Sequence, residues 1–381
     1  MKVNNKSYEE IAFKKQSPYE VNYLKVSNIH TIYYELSGNK NGKPVLLIHG
    51  GPGSGISNNH FKFFNPKLYN IVAFDQRGCG KSTPLGCIKE NTTHDLINDI
   101  ELLRIHLNIE LFYIVFGGSW GSTLALTYAI KKPCSLEKLI VYSIFLCREQ
   151  ELNYIYKPNI NVLKHQQSKD AIISKSMGID MFYPLEFKKF KQSLINFIKE
   201  YNVKNINNSY VVDTNIDINL INNNILEYYY YILCNLGYDY NDFTKQSNYK
   251  KALDLCKEWC LFELILCSIY PNENISKEIY NSNKEEELFV CARLESHYFY
   301  NKGFFDCDDY IVKNAHKLNH LNAVEIIHSR YDMLCPFINA YDLNQSISNS
   351  NLTVSCISGH SCTDEDMFIN IFNVVKKHNY N

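Results

Sequence analysis

Ser119, Asp332 and His360 are of the three residue types that together make an alcohol nucleophilic, and they occur in the order serine, acid, histidine. Ser119 stands in Val115-Phe-Gly-Gly-Ser-Trp-Gly-Ser122. The G-x-S-x-G spacing suits a turn so sharp that side chains two positions either side of the serine would collide, which accounts for Gly117 and Gly121. Such a turn holds the hydroxyl at the head of a helix, where the dipole and free N–H groups favour developing negative charge. In the chemistry this implies, His360 takes the Ser119 proton during attack and returns it to the leaving group, while Asp332 fixes the imidazole tautomer and stabilises the imidazolium. The oxyanion that forms needs two backbone N–H donors. Trp120, directly after the serine, offers one. The glycine-rich His49-Gly-Gly-Pro-Gly53 lets backbone approach a substrate and offers Gly51 as the other. Each residue also has an ordinary reading: a serine in a glycine-rich loop, a turn-capping aspartate, a surface histidine among 12. Position along the chain decides against it.

Four apolar, β-branched runs punctuate the first 145 or so residues: Val45–Ile48, Ile71–Phe74, Phe112–Phe116 and Leu139–Tyr142. They read as buried parallel strands. Val21–Val26 and Thr31–Leu36 alternate as a hairpin across Ser27-Asn28. Between the strands, Thr93–Leu107 puts Leu96, Ile100, Leu103 and Leu107 on one helical face with Thr92 or Thr93 as cap, and a helix follows Ser119. Alternation of this kind predicts a mostly parallel sheet with helices on both faces. From Arg148 to about Lys313 the strand-like runs give way to helix-like segments rich in Tyr, Phe and Asn, with residues 160–178 and 201–250 reading as low-complexity loops or extra helices. The α/β texture returns at Ala323–His328 and Leu352–Ile357, which lead into Asp332 and His360. The predicted organisation is a core of residues 1–147 and 314–381, interrupted at 148–313 by a helical cap over the carboxyl edge of the sheet, where open α/β sheets bind ligands. Ser119, Asp332 and His360 all fall on that edge.

Composition removes other classes. A net charge of −1 implies no polyanion partner, and nucleic acid is not indicated. No run reaches the roughly 18 apolar residues of a membrane span, and the polar Met1–Ser7 lacks a secretory apolar stretch. The 13 cysteines, scattered without zinc-type spacing, read as reduced thiols of a cytoplasmic protein. H-E-x-x-H is absent and Gly117–Gly121 lacks a phosphate-loop lysine, so neither metal nor cofactor is expected.

With these stretches in hand the chain resembles the proline iminopeptidases (prolyl aminopeptidases), serine exopeptidases of the α/β-hydrolase fold. The resemblance rests on His49–Gly53, Asp75-Gln-Arg-Gly-Cys-Gly-Lys-Ser82, Asn91-Thr-Thr93 with Asp95, Gly117–Ser122, Arg330-Tyr-Asp332 with Cys335-Pro336, and Gly359-His-Ser361. In the cap, Ala292-Arg-Leu-Glu-Ser-His-Tyr-Phe299 is similar to the family's A-R-I-E-N-H-Y-F stretch. The resemblance implies that Glu295 and Glu263, the latter in Trp259-Cys-Leu-Phe-Glu263, grip the free α-amino group of a short peptide, and that Phe145 lines the proline pocket. The chemistry is coherent, because an N-terminal amine with a pKa of about 8 is mostly a cation at neutral pH. The ordinary reading of both glutamates is a solvated helix surface. Three departures stand out: Phe262 replaces the second Trp of the family's W-x-x-W-E, Ser143 replaces a Gly, and the cap is longer around residues 157–180 and 201–250, which leaves strict proline preference open. Two other readings remain: a capped esterase, amidase or carbon–carbon bond hydrolase acting on a small non-peptide substrate, and a non-catalytic small-molecule receptor. Oligomeric state is not legible.

Overall fold

The computed structural model describes residues 8–157, 178–201, 203–206, 209–212, 221, 225–235, 247–270, 274–281 and 283–379. By its internal packing the chain divides into two compact units. The first takes Met1–Leu146, Leu266–Pro271 and Phe304–Asn381, the second Cys147–Ile265 and Asn272–Gly303.

The first unit is built on eight strands: β1 (Glu20–Lys25), β2 (Thr31–Gly38), β3 (Lys43–Ile48), β4 (Tyr69–Phe74), β5 (Phe112–Ser119), β6 (Leu136–Ile144) and, beyond the second unit, Ala323–Ser329 and Ser350–Ser355. With β7 (Val203–Ile206) and β8 (Ser209–Val212) in the second unit, the last two are β9 and β10. The sheet runs β1-β2-β4-β3-β5-β6-β9-β10. β1 pairs with β2 and β2 with β4 antiparallel; every other neighbour is parallel. Sheet order reverses between β3 and β5, because the chain leaves β3 for β4 on one side and returns to β5 on the other. That switch point is where a crevice opens beyond the carboxyl ends of the strands.

Side chains alternate across a strand, and here both sets are buried. Val45, Leu47, Ile114, Phe116, Ile140 and Ile327 share a core with Phe368, Ile371 and Phe372 of the helix Glu365–Lys377. Leu46, Val72, Val115 and Val141, which alternate with them, are also fully buried. Helices therefore cover both faces, as continuous apolar strands require. The helix Thr93–His106 starts with a capping box in which Thr92 Oγ1 accepts from Asp95 N–H and Asp95 Oδ2 accepts from Thr92 N–H. Its buried Asp99 takes Arg77 Nε and Nη2, each at 2.6 Å, while Arg77 Nη1 donates to the Glu90 carbonyl. This fork pins the loop after β4 to the helix.

The second unit is mainly helical: Glu149–Tyr156, Pro184–Tyr201, Ile225–Asn235, Ser247–Leu266, Ile275–Tyr280 and Glu285–Tyr300. Two expectations need correction. The 201–250 stretch, read as loops or extra helices, does hold the helix Ile225–Asn235 but also contains the antiparallel strand pair β7–β8. The last core strand ends at Ser355, so Ile357 lies outside it and is exposed; Asp366 Oδ2 accepts the Cys356 and Ile357 N–H groups and turns the chain away from the ladder. Most of the 157–180 cap insertion lies outside the described residues. Among the described residues no helix is long and apolar enough to cross a membrane.

Removing Asp99 leaves the buried Arg77 with the longer, part-exposed Asp95 contact at 3.4 Å to offset its charge. Asp99→Ala is expected to lower stability by about 3–5 kcal/mol, read as a fall in thermal midpoint against wild type at neutral pH.

Candidate active site

Ser119 ends β5 and stands immediately before the helix Trp120–Lys131 with φ 56° and ψ −129°. An L-residue at such a φ stores about 1–3 kcal/mol of strain, and the surroundings enforce it. A Cβ on Gly117 would lie 2.3 Å from the Gly121 carbonyl oxygen, and one on Gly121 2.5 Å from that of Ile48 in β3. The crowding thus involves β3 as well as the turn itself. Gly118 has a separate cause: the Tyr142 ring occupies the space its side chain would need. At the Gly118/Ser119 step the pairing with β6 slips by a residue, lifting Ser119 out of the ladder. Its side chain makes no capping bond to the helix, while the Ser119 carbonyl is held by Ser122 Oγ at 2.7 Å.

Asp332 and His360 meet, with Nδ1 to Oδ2 at 2.8 Å. The other carboxylate oxygen of Asp332 accepts the N–H groups of Leu334 and Cys335 at 3.0 and 2.7 Å, so the carboxylate cannot rotate freely. Burial works to raise the Asp332 carboxyl, but the His360 charge and hydrogen bond, His328 and the Cys335 N–H outweigh it and hold it below the usual range. An ionised Asp332 on Nδ1–H leaves Nε2 of His360 for proton transfer. The His360 backbone is fixed by its own N–H to the Cys267 carbonyl at 2.8 Å and by Ser143 Oγ to its carbonyl at 2.7 Å. Ser143 immediately precedes Ile144, the residue paired with Ser119, so the histidine loop is anchored beside the end of β5.

On the other side of β5 lies the loop after β3. A Cβ on Gly50 would contact Ser119 Cβ at 3.5 Å, and Gly51 adopts φ +101° with Gly53 N only 2.6 Å from its would-be Cβ. Trp120 is fully buried, its indole N–H donating to Gln76 Oε1 at 3.0 Å. Phe145 is buried too, its N–H on Ser122 Oγ and its carbonyl on Thr123 Oγ1.

In the second unit Glu263 and Glu295 come together. Glu263 and Trp259 are one turn apart on the helix Ser247–Leu266, Glu295 and Cys291 one turn apart on Glu285–Tyr300. Glu263 is close enough to act on the Glu295 carboxyl. Trp259 Nε1 donates to Glu295 Oε2 at 2.5 Å, Cys291 Sγ reaches Oε1 at 3.2 Å, and Tyr156 OH donates to Glu263 Oε1 at 3.1 Å. Glu295 is buried and Glu263 half-buried, against the solvated-surface reading. Phe262, in place of a Trp, stacks on Phe190 at 4.6 Å.

Residues 43–259 match the α/β-hydrolase fold family. A proline iminopeptidase of Arabidopsis thaliana is 35% identical over 348 residues, covering 91% of this chain and 76% of that one. Those of Neisseria gonorrhoeae and Xanthomonas citri are 33% and 32% identical, each covering 92% of this chain and 93% of theirs. The chain belongs to the proline iminopeptidase family. Among solved structures, an α/β-fold hydrolase from Bacillus anthracis (TM-score 0.53, 18% identity, 95% of this chain and all of that one) and a Rhodococcus esterase (0.54, 11%, 94% and 98%) share the fold.

Within this proline iminopeptidase framework, three residues were not singled out from sequence as site residues. His328, fully buried, accepts the Ile144 N–H on Nδ1 at 2.8 Å and meets the Cys335 carbonyl with Nε2 at 2.9 Å, tying β6 to the Asp332 loop. Cys267 and Ser143 hold the His360 backbone. His328 and Ser143 sit at strand ends, which was the one available signal; Cys267 lies in a turn after a cap helix and carried none.

Burial, reinforced by Cys291, raises the Glu295 carboxyl well above the usual range, against the opposing pull of its contacts with Glu263 and Trp259. A raised carboxyl stabilises the fold fully below its unfolded pKa, and that contribution is lost as pH rises towards the folded value. Glu295→Gln keeps an acceptor for Trp259 without titrating. The thermal midpoint of the variant relative to wild type is therefore expected to climb as pH rises above the ordinary glutamate value of about 4.3; a difference flat with pH would contradict the raised carboxyl.

Proposed function

We propose that this protein is an aminopeptidase that releases N-terminal proline from short peptides through an acyl-enzyme. The observation that carries this reading beyond generic acyl transfer is the Glu263–Glu295 pair, of which Glu295 is buried and Glu263 half-buried. Two carboxyls in a partly dry site cost several kcal/mol to ionise unless a cation joins them, and the ammonium of a free N-terminus is such a cation. A peptide with a blocked amine offers no charge to compensate them.

The geometry of the first unit supports the following steps. Ser119 Oγ attacks the proline carbonyl as His360 Nε2 takes its proton, with Asp332 on Nδ1 holding the tautomer. The tetrahedral oxyanion receives the N–H groups of Gly51 and Trp120. Collapse breaks the C–N bond, and the proton on His360 passes to the departing amine. Water, deprotonated by His360, then attacks the ester and returns Ser119 and free proline. Phe145 supplies apolar surface to the pyrrolidine ring, and peptides are the substrates throughout. Thirteen cysteines, none in a disulfide, suit a reducing, cytoplasmic setting.

Ser119→Ala is expected to abolish turnover of a prolyl-amide reporter with an unchanged thermal midpoint; near-wild-type turnover would remove Ser119 from the nucleophile role. Glu295→Gln should raise KM for the same reporter by about 10- to 100-fold, the worth of a charged hydrogen bond. N-acetylation of the reporter should cost the wild type most of its activity. Equal rates on blocked and free substrates would favour the esterase or amidase reading instead.

A further inference from the structure

Asp75-Gln-Arg-Gly78 at the end of β4 reads from sequence as a brace, yet Gln76 makes contacts more specific than bracing requires. It is buried; its carbonyl accepts the Cys79 N–H within its own loop, while its backbone N–H and both polar groups of its side chain go to the two segments that flank Ser119. Its backbone N–H donates to His49 Nε2 at 3.0 Å, its side-chain amide N–H donates to the His49 carbonyl at 2.9 Å, and its Oε1 accepts from Trp120 Nε1 at 3.0 Å. His49 is the last residue before Gly50-Gly51, and Trp120 is the first after Ser119. One side chain from β4 therefore links the loop after β3 to the first turn of the helix after β5.

The link fixes direction as well as distance. Because His49 Nε2 accepts from Gln76, the imidazole proton sits on Nδ1, which donates to the Gly50 carbonyl at 2.9 Å. Burial, the largest influence on His49, keeps the ring from taking a second proton and outweighs the opposing Asp75 charge. The Gly50 carbonyl and the Gly51 N–H belong to one planar trans peptide, so they point in opposite directions. Holding the carbonyl on His49 turns the Gly51 N–H the other way. A glycine at this position, with no side chain to hold it, would otherwise be free to swing that peptide.

From this we infer that Gln76 is a positioning residue for acyl transfer, holding Gly51 and Trp120 together through His49 and the Trp120 indole so that both N–H groups meet the oxyanion. The inference rests on the acyl-transfer reading of Ser119 above. Gln76 touches neither substrate nor reacting atoms. Its contribution belongs to the transition state, where the oxyanion exists, and not to the bound ground state.

The test compares Gln76→Leu, which removes both side-chain links, with Gln76→Glu, which keeps an acceptor for Trp120 but loses the amide donor. Two substrates are used, a prolyl-amide reporter and an activated acetate ester, together with a boronic acid analogue of proline and free proline as inhibitors. Losing one oxyanion donor outright lowers kcat about 10²- to 10³-fold; a misaimed donor should lower it about 10- to 100-fold in Gln76→Leu, with KM within about 2-fold. Boronate affinity should fall with kcat while proline affinity holds. Gln76→Glu should lie between Leu and wild type. Should Gln76→Leu fail to fold, Trp120→Phe removes the indole link alone and is expected to lower kcat with KM unchanged. A folded Gln76→Leu enzyme with kcat within about 2-fold of wild type overturns the inference, as does a loss shared equally by kcat and proline affinity. The ester needs no free amine, so wild-type enzyme that cleaves ester but not prolyl amide would sink the aminopeptidase reading and leave this test intact.

Discussion

The crowding of three backbones around Ser119 is the constraint on which the site depends. β5 must deliver its last residue beside β3, and the helix that follows must begin at once, so Gly117, Gly121 and Ile48 approach closer than any side chain permits. The positive φ at Ser119 follows from that approach. Strain at one residue is tolerable because the surrounding sheet is deeply buried, with Val115 and Phe116 fully enclosed. Ser119 is presented by the rigidity of its scaffold, and its hydroxyl makes no capping bond to the helix it precedes.

Around this point the rest of the first unit supplies directional contacts in place of bulk. Asp332 is locked by two backbone N–H groups, His360 by Asp332, and the histidine loop by Ser143 and Cys267. Each bond removes a rotation that would otherwise cost catalytic geometry. In the second unit the Glu263 and Glu295 carboxyls are held in the same directional way, by Tyr156, Trp259 and Cys291.

Much of this was legible because the signals are local. The G-x-S-x-G turn, the apolar runs of β3 to β6 and a cap at Thr92 or Thr93 each declare themselves within a few residues, and chain order together with position at strand ends nominated Asp332 and His360. What escaped depends on contacts distant in sequence. Cys267 supports His360 from 93 residues away, and nothing in a cap-helix terminus signals it. His328 lies in plain view at a strand end, but its role depends on Ile144, 184 residues earlier. The β7–β8 pair was hidden by an Asn-rich composition that masks alternation. The proximity of Glu263 to Glu295 came from family resemblance; helical spacing places each beside its own neighbour but cannot bring two helices together.

The sheet order has a consequence for biosynthesis. β6 ends at Ile144, and its parallel partner β9 does not begin until Ala323. At about 5–20 residues per second, a ribosome needs roughly 9–36 s to make the intervening stretch. Throughout that interval the nascent β6 presents unpaired N–H and C=O groups along an apolar edge, the kind of template that recruits strands from other chains. The protein's exposure to misassembly is therefore greatest during translation, and it ends when β9 docks.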